Sequence, residues 1–189
     1  RGCGERISIK YSLIEMLNSL LYALIYCNYG NSIDSLKGFL LSSLLIVIAG
    51  IDLKTHYIYK STTIFGIGAF VFIEIIDLLI SWQIPWENLL AGALGVIVIG
   101  VIVVFTGGMG EGDIEIALII GLFLGIKGLM LALFIAFILG GIIASIFLIL
   151  KFKERKAEIA FGPYLAMGAI ISLLYSTEII NWYISLMKI

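Results

Sequence analysis

At 189 residues, 61% hydrophobic and only 13% charged, with mean hydropathy +1.15, the chain lacks the composition of a soluble domain and reads as an integral membrane protein. A formal net charge of −1 without a concentrated basic patch gives no reason to expect nucleic acid as a partner. Two cysteines are too few for a disulfide framework.

The chain opens RGCGERISIKY, with Arg1 first and no short apolar core behind a charged end. It therefore reads as the middle of a longer protein and not as a signal peptide. After residues 1–10, residues 11–189 read as one membrane-embedded domain. Seven apolar segments fall near the length of about twenty residues that a spanning helix needs. They are roughly 12–29, 36–51, 61–80, 88–106, 114–126, 128–150 and 161–180. The pattern predicts an all-α, polytopic bundle of about seven transmembrane helices. The fifth segment is short and meets the sixth at Lys127-Gly128, so the two can also be drawn as one kinked or hairpinned unit. In the first segment, Glu15 and Asn18 share a face and suit hydrogen bonding between helices, while Cys27 reads as a packing residue. Glu74 and Asp77, one turn apart in the third, suit a position near the outer interface.

Lysine and arginine orient the map. With the amino-terminal end inside, the inner loops hold Arg1, Arg6, Lys10, Lys54, Lys60, Lys151, Lys153, Arg155 and Lys156, and the outer side holds Lys37, Lys127 and Lys188. Nine against three is the bias that positive-inside topology requires. Trp82, Trp86 and Trp182 with Tyr183 fall at outer ends, as an interfacial belt does.

The second segment ends AGIDLKTHYIYK and the fifth begins within GGMGEGDIEIA, so this map carries Asp52 and Asp113 to one inner membrane face, although they are 61 positions apart. Facing carboxylates that share a proton are what an aspartic protease needs: one takes a proton from water, the other polarises the scissile carbonyl. Asp113 lies in the first turn of its helix, where the macrodipole favours an anion. Acids at helix starts are also common caps, and acids at membrane ends are commonly hydrated and structural. His56 stands alone in a basic inner loop without a second histidine or cysteine nearby, which argues against a metal site. KFKERKAE, residues 151–158, reads as a solvated inner loop touching anionic lipid.

GMGEGD matches the G-x-G-D signature of intramembrane-type aspartic proteases, and GGMGEGDIEIALIIGLFLG resembles that of the type IV prepilin peptidases. Similar to that family too are the earlier Asp-Leu of DLKTHYI and FGPYLAMG at residues 161–168. The opening RGCGERISIKYSLIE resembles the family's passage out of a cytoplasmic cysteine-rich loop, of which residues 1–10 would be a remnant. The four elements, in order, cover essentially the whole chain.

The resemblance implies a membrane aspartic endopeptidase of a prokaryotic cytoplasmic (inner) membrane, with its active site facing the cytoplasm. It would cut the basic leader from type IV prepilin or pseudopilin substrates after a glycine, while the substrate's apolar helix lies in the lipid bilayer. Asp52 and Asp113 would be catalytic. Gly110 and Gly112 would let Asp113 approach its partner and the peptide. Glu111, with Glu154 and Glu158, would face the leader, and Gly162 with Pro163 would shape the wall of the site. No cofactor is expected for the peptidase activity. Zinc, held in family members by two C-x-x-C pairs of which Cys3 would be the tail, and S-adenosylmethionine for methyl transfer are expected only in a longer protein. Two positions depart from the family: Glu115 stands where lysine is usual, adding a third acid beside the pair, and Tyr59-Lys60 stands where Pro-Asn is common. The rival readings are a preflagellin, signal-peptide or presenilin-like protease of the G-x-G-D group, and a small transporter or ion channel whose inner acids gate cations.

Overall fold

The computed structural model describes residues 9–150 and 160–187, which form six helices and no strand. These are α1 (Ile9–Tyr29), α2 (Ile33–Thr55), α3 (Lys60–Ser81), α4 (Trp86–Thr106), α5 (Glu111–Ile149) and α6 (Gly162–Met187). The all-α bundle is as expected, but the count of about seven spanning helices is corrected. Five of the six, α2 to α6, have the length and hydropathy to cross a membrane. In α1 the apolar run is diluted by Glu15, Asn18, Asn28 and four tyrosines. The fifth and sixth apolar segments, meanwhile, share the single element α5.

That element is not straight. Gly125 interrupts it with φ 68° and ψ −176°, a conformation open to glycine and closed to ordinary residues. Ile116 lies against Gly162, and Gly140 lies against the neighbouring Phe161. In a straight helix residues 116 and 140 would be about 36 Å apart, too far for both contacts. The chain therefore doubles back at Gly125, two residues before the Lys127-Gly128 break read from the sequence. The arm before the turn packs on α4, where Gly95 meets the backbone of Ala117 and Gly121 meets that of Ala91. The arm after it packs on α6, where Gly168 meets the backbone of Ala132. Such small-residue contacts let helices approach closely where lipid gives no hydrophobic drive.

Between these helices lies an apolar core of residues such as Leu41, Leu45, Ile48, Ile99, Ile119 and Leu165, all essentially inaccessible. The elements run antiparallel, so the end of α2 and the starts of α3, α5 and α6 gather at one end of the bundle. At the other end Lys37 of α2 reaches Glu74 and Asp77 of α3, with Nζ–O distances of 2.6 and 3.7 Å. Asn18 does link helices, accepting a hydrogen bond from Ser43 of α2 at 3.2 Å. Cys27 is exposed on α1, so it does not pack the core as expected. Cys3, Glu154, Glu158 and the run 151–158 lie outside the described residues.

Candidate active site

Asp52 and Asp113 reach the same cavity from the ends of two helices. α2 closes at His56, which adopts φ 51° and donates its N–H to the Asp52 carbonyl at 2.9 Å. That cap leaves Asp52 in the final turn, with its side chain turned inward and only 5% of the residue exposed. The Gly162 N–H, at the start of α6, donates to Asp52 Oδ2 at 3.0 Å. A Cβ on residue 162 would stand 2.6 Å from that oxygen and 3.1 Å from Ile116 Cδ1, so only glycine permits this approach. Pro163 follows in the first turn of α6 and is buried. Its missing N–H costs nothing there, because first-turn N–H groups have no partner within their own helix.

Asp113 is held locally. Its N–H donates to the Gly110 carbonyl at 3.1 Å, and the Gly110 N–H returns a bond to Asp113 Oδ2, also at 3.1 Å. The second bond is one half of a capping box, an acid reaching back to the N–H of the cap residue; glycine has no side chain to make the other half. Asp113 is therefore a structural cap and, at the same time, a carboxylate lining the cavity; it is 4% exposed. Both aspartates line this one cavity. Neither forms a salt bridge among the described residues.

The cavity has a volume of about 320 Å³. Gly110, Glu111 and Gly112 line it with the two aspartates, as do His56, Lys60 and Glu115. Glu111, the first residue of α5, is exposed. The two motif glycines differ. Around Gly110 there is room for a methyl group, its nearest neighbours being 4.0 Å away, whereas a Cβ on Gly112 would meet Ile58 at 2.7 Å.

Two participants carry no signal in the sequence. Ile58, in the short link between α2 and α3, packs on Gly112. Thr63 of α3, buried, donates its hydroxyl to Glu115 Oε2 at 2.6 Å. Both contacts join segments far apart in the chain, which helical periodicity does not reveal. Among the described residues no group of three or more His, Cys, Asp or Glu side chains is placed to hold a metal ion.

Comparison with known proteins bears on this geometry. Residues 39–145, which include both aspartates and both arms of the α5 reversal, match the type IV leader peptidase family. A prepilin leader peptidase/N-methyltransferase of Bacillus subtilis is 30% identical over 187 residues, covering 98% of this chain and 74% of the relative. Proteins of the same name from Xanthomonas campestris and Neisseria gonorrhoeae are 27% and 28% identical over 97% of this chain. This chain spans 65% of the length of each of those two relatives. No solved structure matches. The match covers more than half of the chain and contains the paired aspartates, and the chain belongs to the type IV leader peptidase family.

Proposed function

We propose that the chain is a membrane aspartic endopeptidase that removes the leader peptide from type IV pilin-like precursors, with its active site at the cytoplasmic face of the inner membrane. The observation that carries this reading is that two buried aspartates from separate helices share one cavity, each held by a backbone N–H and, among the described residues, neither by a salt bridge. Of the two activities in the relatives' names, the geometry bears on hydrolysis.

Two carboxylates in a poorly solvated site hold one proton between them more readily than none. The ionised one accepts a proton from water as the water oxygen attacks the scissile carbonyl carbon. The protonated one gives its proton to the carbonyl oxygen, which yields a neutral tetrahedral diol. As the C–N bond breaks, a proton passes to the departing amine, the carboxyl product forms, and one proton remains on the pair. Activity should rise and fall across pH, because one proton must be present and one absent, and the two limbs belong to the pair and not to either residue. The backbone N–H groups of Gly110 and Gly162 fix one oxygen of each carboxylate and leave the other for water and substrate.

The cytoplasmic placement rests on nine inner against three outer lysines and arginines. The substrate would present its leader at this face, while its apolar helix lies in the bilayer. Incubation of the full chain in detergent with a peptide spanning a pilin leader junction tests the reaction, with cleavage after the junction glycine as the expected result. Intact peptide with folded protein would sink the proposal. Ion flux lost on aspartate-to-asparagine change, without cleavage, would favour the channel reading instead. Cysteine at position 55 or 109 should react with an impermeant reagent only from the cytoplasmic side.

A further inference from the structure

The cavity contains more carboxylates than hydrolysis requires. Beside Asp52 and Asp113 it is lined by Glu111 and Glu115, and among the described residues the basic side chains on its wall are Lys60 and His56. Among the described residues that line it, four carboxylates stand against one lysine and one histidine. The two glutamates are not equivalent. Glu111 is exposed at the first position of α5, where water and salt screen its charge. Glu115 is half-buried, and its Oε2 is fixed by the hydroxyl of buried Thr63.

We infer that Glu115 is a specificity-determining residue, whose carboxylate receives a cationic side chain of the peptide next to the scissile bond. This rests on the peptidase reading above. Three features support it. Glu115 is two residues beyond Asp113 and lines the same cavity, so a peptide whose scissile bond lies at the aspartates passes within reach. Thr63 engages Oε2, and among the described residues it is the only hydrogen-bond partner of this carboxylate. The other oxygen can therefore serve a ligand. Because the side chain is already held, a bound lysine or arginine does not have to bear the cost of ordering it. A half-buried, fixed charge also discriminates by repulsion: an acidic side chain at the same place meets an anion that cannot swing away.

The alternative role for Glu115 is purely structural, a tie between α3 and α5. Glu115→Gln separates the two, since an amide oxygen of the same shape still accepts from Thr63 but carries no charge. The experiment uses the full chain in detergent. Peptides differ at one residue near the junction, with lysine, glutamine or glutamate in turn at each flanking position. At one position the wild type should prefer lysine to glutamate in kcat/KM, by on the order of fivefold or more. Glu115→Gln should abolish that preference, and Glu115→Lys should reverse it. Equal loss for all peptides in Glu115→Gln, with unchanged ratios, would overturn the inference and leave the tie. A second arm measures equilibrium binding of the labelled lysine and glutamate peptides to Asp113→Asn protein. Weaker binding of the lysine peptide on adding Glu115→Gln supports the inference; unchanged binding overturns it. Glu115-dependent binding without cleavage by the wild type would remove the peptidase reading and keep the cationic subsite.

Discussion

The bundle carries acids at both ends, and their surroundings differ. Away from the cavity with the paired aspartates, Glu74 and Asp77 share Lys37, with Glu74 at 2.6 Å. At the other end Asp52 and Asp113 have no salt bridge among the described residues and are held by backbone N–H groups of glycine. A carboxylate neutralised by a lysine has its charge satisfied and its geometry fixed, which suits structure. A carboxylate fixed by one N–H, beside a second carboxylate and an open cavity, keeps an oxygen free to exchange protons. Burial does not separate the two ends, since Glu74 is 8% exposed and Asp52 5%. What separates them is the partner.

The largest effect is expected when the aspartates are replaced. Asp52→Asn or Asp113→Asn should each lower turnover by about ten-thousandfold, because asparagine keeps the shape but can neither hold the negative charge nor pass the proton. Melting temperatures should change little, since each amide can still accept from its glycine. Cleavage by Asp52→Asn at the wild-type rate would mean that Asp113 works with another partner.

A smaller effect tests how the carboxylates are held. In Gly162→Ala the new methyl group would stand 2.6 Å from Asp52 Oδ2, so either the aspartate or the first turn of α6 must move. A shift of about 1 Å at a reacting group can cost roughly a hundredfold in rate. Gly110→Ala is the control, because it places a methyl where the nearest atoms are 4.0 Å away and keeps the N–H that bonds Asp113. Its stability should stay within about 0.5 kcal/mol of wild type. Equal loss of turnover in both variants would show that the motif glycines act by admitting the peptide and not by positioning the pair.

The two ends were not equally legible in the sequence. Asp52 and Asp113 could be paired in advance because each terminates or begins a long apolar run and the antiparallel order of the runs puts them on one side. The aspartate in G-x-G-D and its neighbouring glycines are local features, and a local pattern survives without knowledge of the fold. Lys37 gave no such sign: its pairing with Glu74 depends on how α2 and α3 are rotated against each other, which neither period nor charge count sets. The reversal in α5 lies at Gly125, two residues before Lys127-Gly128, for a related reason. Lys127-Gly128 is the more polar pair, but the turn needs a positive φ where α5 meets the start of α4, and Gly125 supplies it beside Glu87. Thr63 and Ile58 carry no sign because a single threonine in an apolar helix, or a single isoleucine in a short link, has no distinguishing neighbours until the chain is folded.

The smallest effect on turnover is expected at the far end, and there the effect on stability should be large. Lys37→Met keeps the length and apolar stem of the side chain but removes the ammonium that lies 2.6 Å from Glu74. The buried Glu74 carboxylate would then lack its counter-charge, a loss that costs about 3 kcal/mol in comparable buried pairs. The melting temperature in detergent should fall accordingly. Changing Glu74→Gln in the same protein should restore much of it, because the buried charge is then gone and Asp77, the other partner of Lys37, is partly exposed to solvent. Turnover per folded molecule should be unaltered in both proteins, since the aspartate cavity lies at the opposite end of α2 and α3. If Lys37→Met instead reduced turnover while the protein remained folded, and Glu74→Gln failed to restore it, the far end would have to act on the cavity through those helices. The division between a structural end and a chemical end would then be wrong.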